Sequence, residues 1–152
     1  MPFEEAIRST RFESPLHKAV LNTVFTANWI RDFDRQQFEG VPIGLQHFNV
    51  LRILRGRHPA TACPGDIKAV MLDRSPDITR LLDRLVALGW VHRATAEGDR
   101  RKVEVGLTPA GIAEADRLKV QLKEAWSAVE GRLTEAEAAQ LCRLLDKLRE
   151  GI

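Results

Sequence analysis

The chain has 152 residues, with 44% apolar and 29% charged side chains and a formal net charge of +2. That length suits one domain with a core of its own, and that balance excludes disordered, collagen-like and low-complexity chains. No apolar run approaches the roughly 20 residues of a membrane span. The acidic start, Met1-Pro2-Phe3-Glu4-Glu5, lacks the positive charge of a signal peptide, so no membrane partner and a cytoplasmic location are expected.

The distribution of charge is more informative than its total. Residues 44–108 hold eleven Lys/Arg against seven Asp/Glu, which leaves twelve against fourteen for the rest of the chain. A basic middle between acidic ends fits a module that faces a polyanion. Cys63 and Cys142 are too far apart for a disulfide framework or a metal motif, and His17, His47, His58 and His92 are equally scattered. Glycines are dispersed without a phosphate-binding fingerprint, and no nucleophile elbow or triad order stands out. No metal, no cofactor and no enzymatic activity are expected.

In chain order, Leu16, Val20, Val24, Ala27, Ile30 and Phe33 recur at helical spacing, which predicts a helix from Ser14 to about Gln37. Ser14 is its cap, and Pro15 takes the first helical position. Glu39-Gly40-Val41-Pro42 breaks the chain, and a second helix is predicted over about Leu45–Arg55. Residues 60–65 read as a loop, followed by a short helix from about Asp66 to Met71 with Ile67 and Val70 inward. Ser75 is then read as an N-cap, with Pro76 at the first helical position and Asp77 complementing the positive helix end. Ile78, Leu81, Leu82, Leu85 and Leu88 line one face of that helix, and Gly89 stops it.

After Gly89 the period changes. Trp90–Thr95 and Lys102–Leu107 alternate as strands do, around a polar hairpin tip at Ala96-Glu97-Gly98-Asp99-Arg100-Arg101. Trp90 is expected to anchor this ribbon to the core. Thr108-Pro109 opens a helix to about Gly131, and the capping box Thr134-Glu135-Ala136-Glu137 opens a last one through about Arg149.

Short helix, tight turn, second helix and basic-tipped hairpin make a winged helix-turn-helix, a mainly α fold with a small β-hairpin wing. A helix of this kind fits the major groove, and its outward face here carries Asp77, Thr79, Arg80 and Arg84. Arginines at a ribbon tip reach the minor groove, where negative potential is focused, so Asp99, Arg100, Arg101 and Lys102 join the candidate DNA-binding set. Two plainer readings stand beside these: a solvated helix face on which Arg80 pairs with Asp83, and a winged helix used for protein–protein assembly without DNA. Apolar residues would be expected at an assembly tip, where this chain has Arg100 and Arg101.

The run Asp73-Arg74-Ser75-Pro76-Asp77-Ile78-Thr79-Arg80-Leu81-Leu82-Asp83-Arg84-Leu85 resembles the MarR family of bacterial transcriptional regulators. So do Leu88-Gly89-Trp90-Val91-His92-Arg93, Gly98-Asp99-Arg100-Arg101 and Leu107-Thr108-Pro109-Ala110-Gly111. The resemblance implies a single domain over 1–152, with a DNA-binding lobe at 44–108 inside a helical dimerisation scaffold at 14–38 and 109–150. It implies a homodimer, read as a repressor, on a pseudo-palindromic double-stranded operator. It matches Ser75, Thr79, Arg80 and Arg84 to the base-reading helix, Arg101 to the minor-groove arginine and Asp99 to its partner acid. It also implies control by a small aromatic or anionic effector, for which Trp29, His47 and Arg52 are candidate pocket residues, or by cysteine oxidation. The first helix, where the oxidation-sensing members carry their cysteine, has none here.

Overall fold

The middle of the chain builds the core. In the computed structural model the described residues are 1–96 and 99–151, with backbone alone at 96 and 99–102. The elements are α1 (Phe3–Ile7), α2 (Pro15–Gln36), α3 (Leu45–Arg57), α4 (Pro64–Ala69), α5 (Ile78–Ala87), β1 (Val91–Ala96), β2 (Asp99–Leu107), α6 (Pro109–Ser127) and α7 (Glu135–Arg149). Val50, Leu51 and Leu54 of α3, Ile67 of α4, Leu82 and Leu85 of α5, Val105 of β2 and Leu118 of α6 are buried together. Each such side chain removed from water contributes roughly 1.5–3 kcal/mol.

The caps explain where the helices begin. Ser14 accepts from the His17 N–H at 3.1 Å, and Thr108 accepts from the Gly111 N–H at 3.1 Å. At Thr134 the box closes in both directions: the Thr134 N–H donates to Glu137 at 2.8 Å, and the Glu137 N–H donates to the Thr134 hydroxyl at 3.3 Å. Gly89 has φ +73, the left-handed region its stop position requires. Trp90 packs partly buried against the core, and its carbonyl accepts from the Thr108 N–H at 3.1 Å, which ties the foot of the wing to the start of α6.

Three expectations are corrected. The first concerns α5. It begins at Ile78, and its cap is Asp77, whose carboxylate accepts from the Arg80 N–H at 3.1 Å. Ser75 lies in a bend ahead of this cap, and Pro76 is buried outside the helix. The second concerns α4, which ends at Ala69. Val70 therefore swings out to 51% exposure, and Met71 goes inward at 9%. The third concerns the loop at 60–65, which adds an isolated bridge to the outer side of β2. Ala62 pairs with Val105, each N–H donating to the other's carbonyl at 2.9 Å. The helix α1 had no counterpart in the sequence reading; its Phe3 packs on Phe12 and Phe25 with ring centroids 5.9 and 5.7 Å apart.

The apolar stripe of α2 faces outward in the single chain. Leu16 is 62% exposed and Val24 53%, and on α7 Leu141 and Leu144 are 48% and 51% exposed. No described helix is long and apolar enough to cross a membrane.

Candidate nucleic-acid interface

The ten residues of α5 separate cleanly by face. Leu81, Leu82 and Leu85 are buried, while Thr79, Arg80, Asp83, Arg84 and Ala87 are exposed. The hydrophobic face fixes the roll of the helix, and the roll carries the polar residues outward. Asp77 and Ser75 are exposed at its N-terminal approach.

The polar partners differ from those expected within the helix. Asp83 accepts from Arg93 of β1 at 2.5 Å, so this carboxylate braces α5 against the wing and is not the partner of Arg80. Arg84 donates from Nε and Nη2 to the Pro42 carbonyl at 3.2 and 3.0 Å. In the sequence Arg93 is one residue of the longer run Leu88–Arg93 and carries no signal of its own. Its role needs β1 folded back beside α5, which no local period reveals.

The wing is antiparallel, with Val91 opposite Leu107, Arg93 opposite Val105 and Thr95 opposite Val103, and the register shifts between Thr95 and Ala96. Glu104 of β2 accepts from the Thr61 hydroxyl, a further link between the wing and the α3–α4 connection. The candidate tip side chains Asp99, Arg100, Arg101 and Lys102 lie outside the described residues, whose account there stops at the backbone.

The three candidate effector residues are dispersed. Trp29 is 42% exposed and stacks on Phe33 with centroids 5.7 Å apart, beside Trp126 at 6.0 Å. It borders a cleft of about 580 Å³ between α2 and α6–α7. Arg52 donates to Asn49 at 3.0 Å and lines a different cleft of about 580 Å³ between α3 and α6. There Arg55 grips Asp116 through two bonds of 2.9 and 3.1 Å, which holds the Asp116 carboxyl below its usual range. His47 borders a third cleft, of about 850 Å³, between α2 and α3. Its Nδ1 accepts from the Gly44 N–H at 3.3 Å. Burial, then the positive charges of Arg84 and Arg80, lower its pKa and favour the neutral ring. Among the described residues, the three therefore border separate clefts.

A model of the MarR family matches residues 42–102, from the α2–α3 turn into β2. The HTH-type transcriptional regulator PecS of Dickeya dadantii (strain 3937) is 30% identical over 114 residues, covering 74% of this chain and 69% of PecS. A solved MarR transcription factor from Planctomyces limnophilus is 34% identical with a TM-score of 0.66, over 90% of this chain and 98% of that one. A mutant MarR from E. coli complexed with operator DNA is 26% identical with a TM-score of 0.70, over 98% of this chain and 99% of that one.

Proposed function

The chain belongs to the MarR family, and from that premise we propose that it is a sequence-specific double-stranded DNA-binding transcriptional regulator, acting in the cytoplasm as a repressor. The observation that carries this reading is the outward face of α5, where Thr79 and Arg80 are exposed beside a two-stranded wing and held over a packed core. In this reading α5 enters the major groove, and Arg101 at the wing enters the adjacent minor groove. The lobe at 44–108 does the reading. The relative solved with operator DNA supports this use of the fold.

The operator is pseudo-palindromic and the protein a homodimer, with 14–38 and 109–150 as the dimerising segments. The unburied stripes support this: Leu16, Val20 and Val24 on α2, and Leu141, Leu144 and Leu148 on α7, are all more than a third exposed in the single chain. Apolar faces of that kind lie against a partner in a stable protein. Two lobes spaced by one helical turn, roughly 34–36 Å, would then address two half-sites.

A small aromatic or anionic effector regulates binding. Arg52 supports this best of the three candidates, because its cleft combines an apolar floor at Phe48 and Leu122 with the cations Arg52 and Lys119. Titration of the protein–DNA complex with benzoate-class carboxylates tests this, and Arg52→Ala should weaken any release they cause.

Selection of duplexes from a random pool, followed by sequencing, tests the function as a whole. A recovered inverted repeat supports it. A pool that stays random after selection in low salt refutes it. The assembly alternative has no comparable support, since the outward face of α5 carries Thr79, Arg80, Asp83 and Arg84 where a protein interface would carry apolar anchors.

A further inference from the structure

We propose that Arg84 is a positioning residue, which sets the recognition helix by tying it to the turn between α2 and α3, and that its contribution to DNA affinity passes through this tie. The inference rests on the DNA-binding reading above. By its place on α5 the residue looks like a base or phosphate contact, since it is exposed and one helical turn after Arg80. The geometry points elsewhere. Two of its donors, Nε–H and Nη2–H, converge on a single acceptor, the Pro42 carbonyl, 42 residues away in sequence.

Pro42 is exposed, and the planar Arg84 guanidinium presents two donors to its carbonyl in fixed geometry. The tie joins α5 to the turn that precedes α3. Pro42 lies between Phe38 and Ile43, both buried, so the turn is anchored on either side of the carbonyl that Arg84 holds. On its other flank α5 is held by the Asp83–Arg93 ion pair. The recognition helix is thus braced left and right, by the α2–α3 turn and by the wing. His47, three residues into α3 from the cap at Gly44, lies close enough for the charge of Arg84 to add to burial in lowering its pKa. A displacement of α2 would move the turn, and through Arg84 the turn would move α5.

The test compares Arg84→Lys with Arg80→Lys. Lysine keeps the charge and reaches a phosphate, but it cannot place two coplanar donors on one carbonyl. If Arg84 positions the helix, Arg84→Lys binds the selected duplex about tenfold more weakly. The slope of log affinity against log salt stays at the wild-type value, because no phosphate contact is lost. In the free protein, backbone amides at 38–47 exchange with solvent faster in Arg84→Lys and at the wild-type rate in Arg80→Lys. Arg84→Gln, which also leaves the core untouched, should repeat both effects.

Wild-type affinity for Arg84→Lys would overturn the proposal. So would a salt slope reduced by about one in Arg84→Gln together with unchanged amide exchange, the mark of a lost phosphate contact. If the wild-type protein binds no duplex, the DNA-binding reading has failed. The exchange data would then still decide whether the tie exists.

Discussion

The indole N–H of Trp126 donates to the Asp34 carboxylate at 2.9 Å, across the join between α2 and α6. Asp34 is buried, and desolvation raises its pKa, with the Trp126 bond pulling the other way. A raised folded-state pKa stabilises the fold below the ordinary carboxyl range, and that contribution is lost as pH rises through the raised value. Asp34→Asn keeps an acceptor for Trp126 and removes the buried charge. It should therefore leave stability at pH 7 equal or higher, whereas Asp34→Leu strands the indole N–H and costs about 1 kcal/mol or more. Urea denaturation at pH 7 and pH 4 checks both, and a large loss for Asp34→Asn at pH 7 would contradict the sign. Asp116, Glu114 and Glu137 behave oppositely. Hydrogen bonds from Arg55, Arg117 and Thr134 lower their pKa values, so their smaller contributions disappear as the solution becomes acid.

The start of α5 offers a sharp pair of substitutions. Asp77 accepts from the Arg80 N–H, while Ser75 stands two residues outside the cap. Asp77→Ala should destabilise by about 1 kcal/mol, and Ser75→Ala should stay within about 0.5 kcal/mol. Thermal melts of the two variants decide between Asp77 and Ser75 as the cap.

Much of this was legible from the residues themselves. The leucine period of α5, the two-residue period of the wing and the Ser14, Thr108 and Thr134 caps are local signals, and local chemistry sets them. Ser75 and Asp77 are both good caps by residue type, and only the distance from the Asp77 carboxylate to the Arg80 N–H separates them. Val70 faces outward because α4 ends at Ala69, two residues before the end its spacing predicts. The α1 helix has only five residues, too few to show a period. The ties from Arg84 to Pro42 and from Arg93 to Asp83 join distant parts of the chain, and the separate clefts beside Trp29, His47 and Arg52 depend on tertiary packing that no spacing predicts.

Gly111 is the tightest backbone approach beside the wing. A Cβ built there would collide with the Trp90 carbonyl, which is backbone and cannot rotate away. Gly111→Ala should separate the foot of the wing from α6 and lower the melting temperature by many degrees. An alanine variant as stable as wild type would show that Trp90 and α6 do not pack this way.

Under the proposed function, Arg80 is the α5 arginine that reads the groove, since Arg84 is tied to the Pro42 carbonyl and Asp83 pairs with Arg93. Arg80→Ala should weaken binding to the selected duplex by about 1–3 kcal/mol and relax preference at one position of each half-site. Competition binding with single-base variants of the duplex measures this. A uniform loss across all variants would move Arg80 to the phosphate backbone.

The proposed function requires two copies of this chain to grip one duplex through α5 and the wing. Sedimentation of the wild-type protein with a selected inverted-repeat duplex, over a series of salt concentrations and beside Arg101→Ala, tests it most directly. Two chains per duplex, affinity that falls steeply with salt, and a clear loss in Arg101→Ala are the expected results. A single chain on the DNA, or an Arg101→Ala variant that binds as well as wild type, would contradict it.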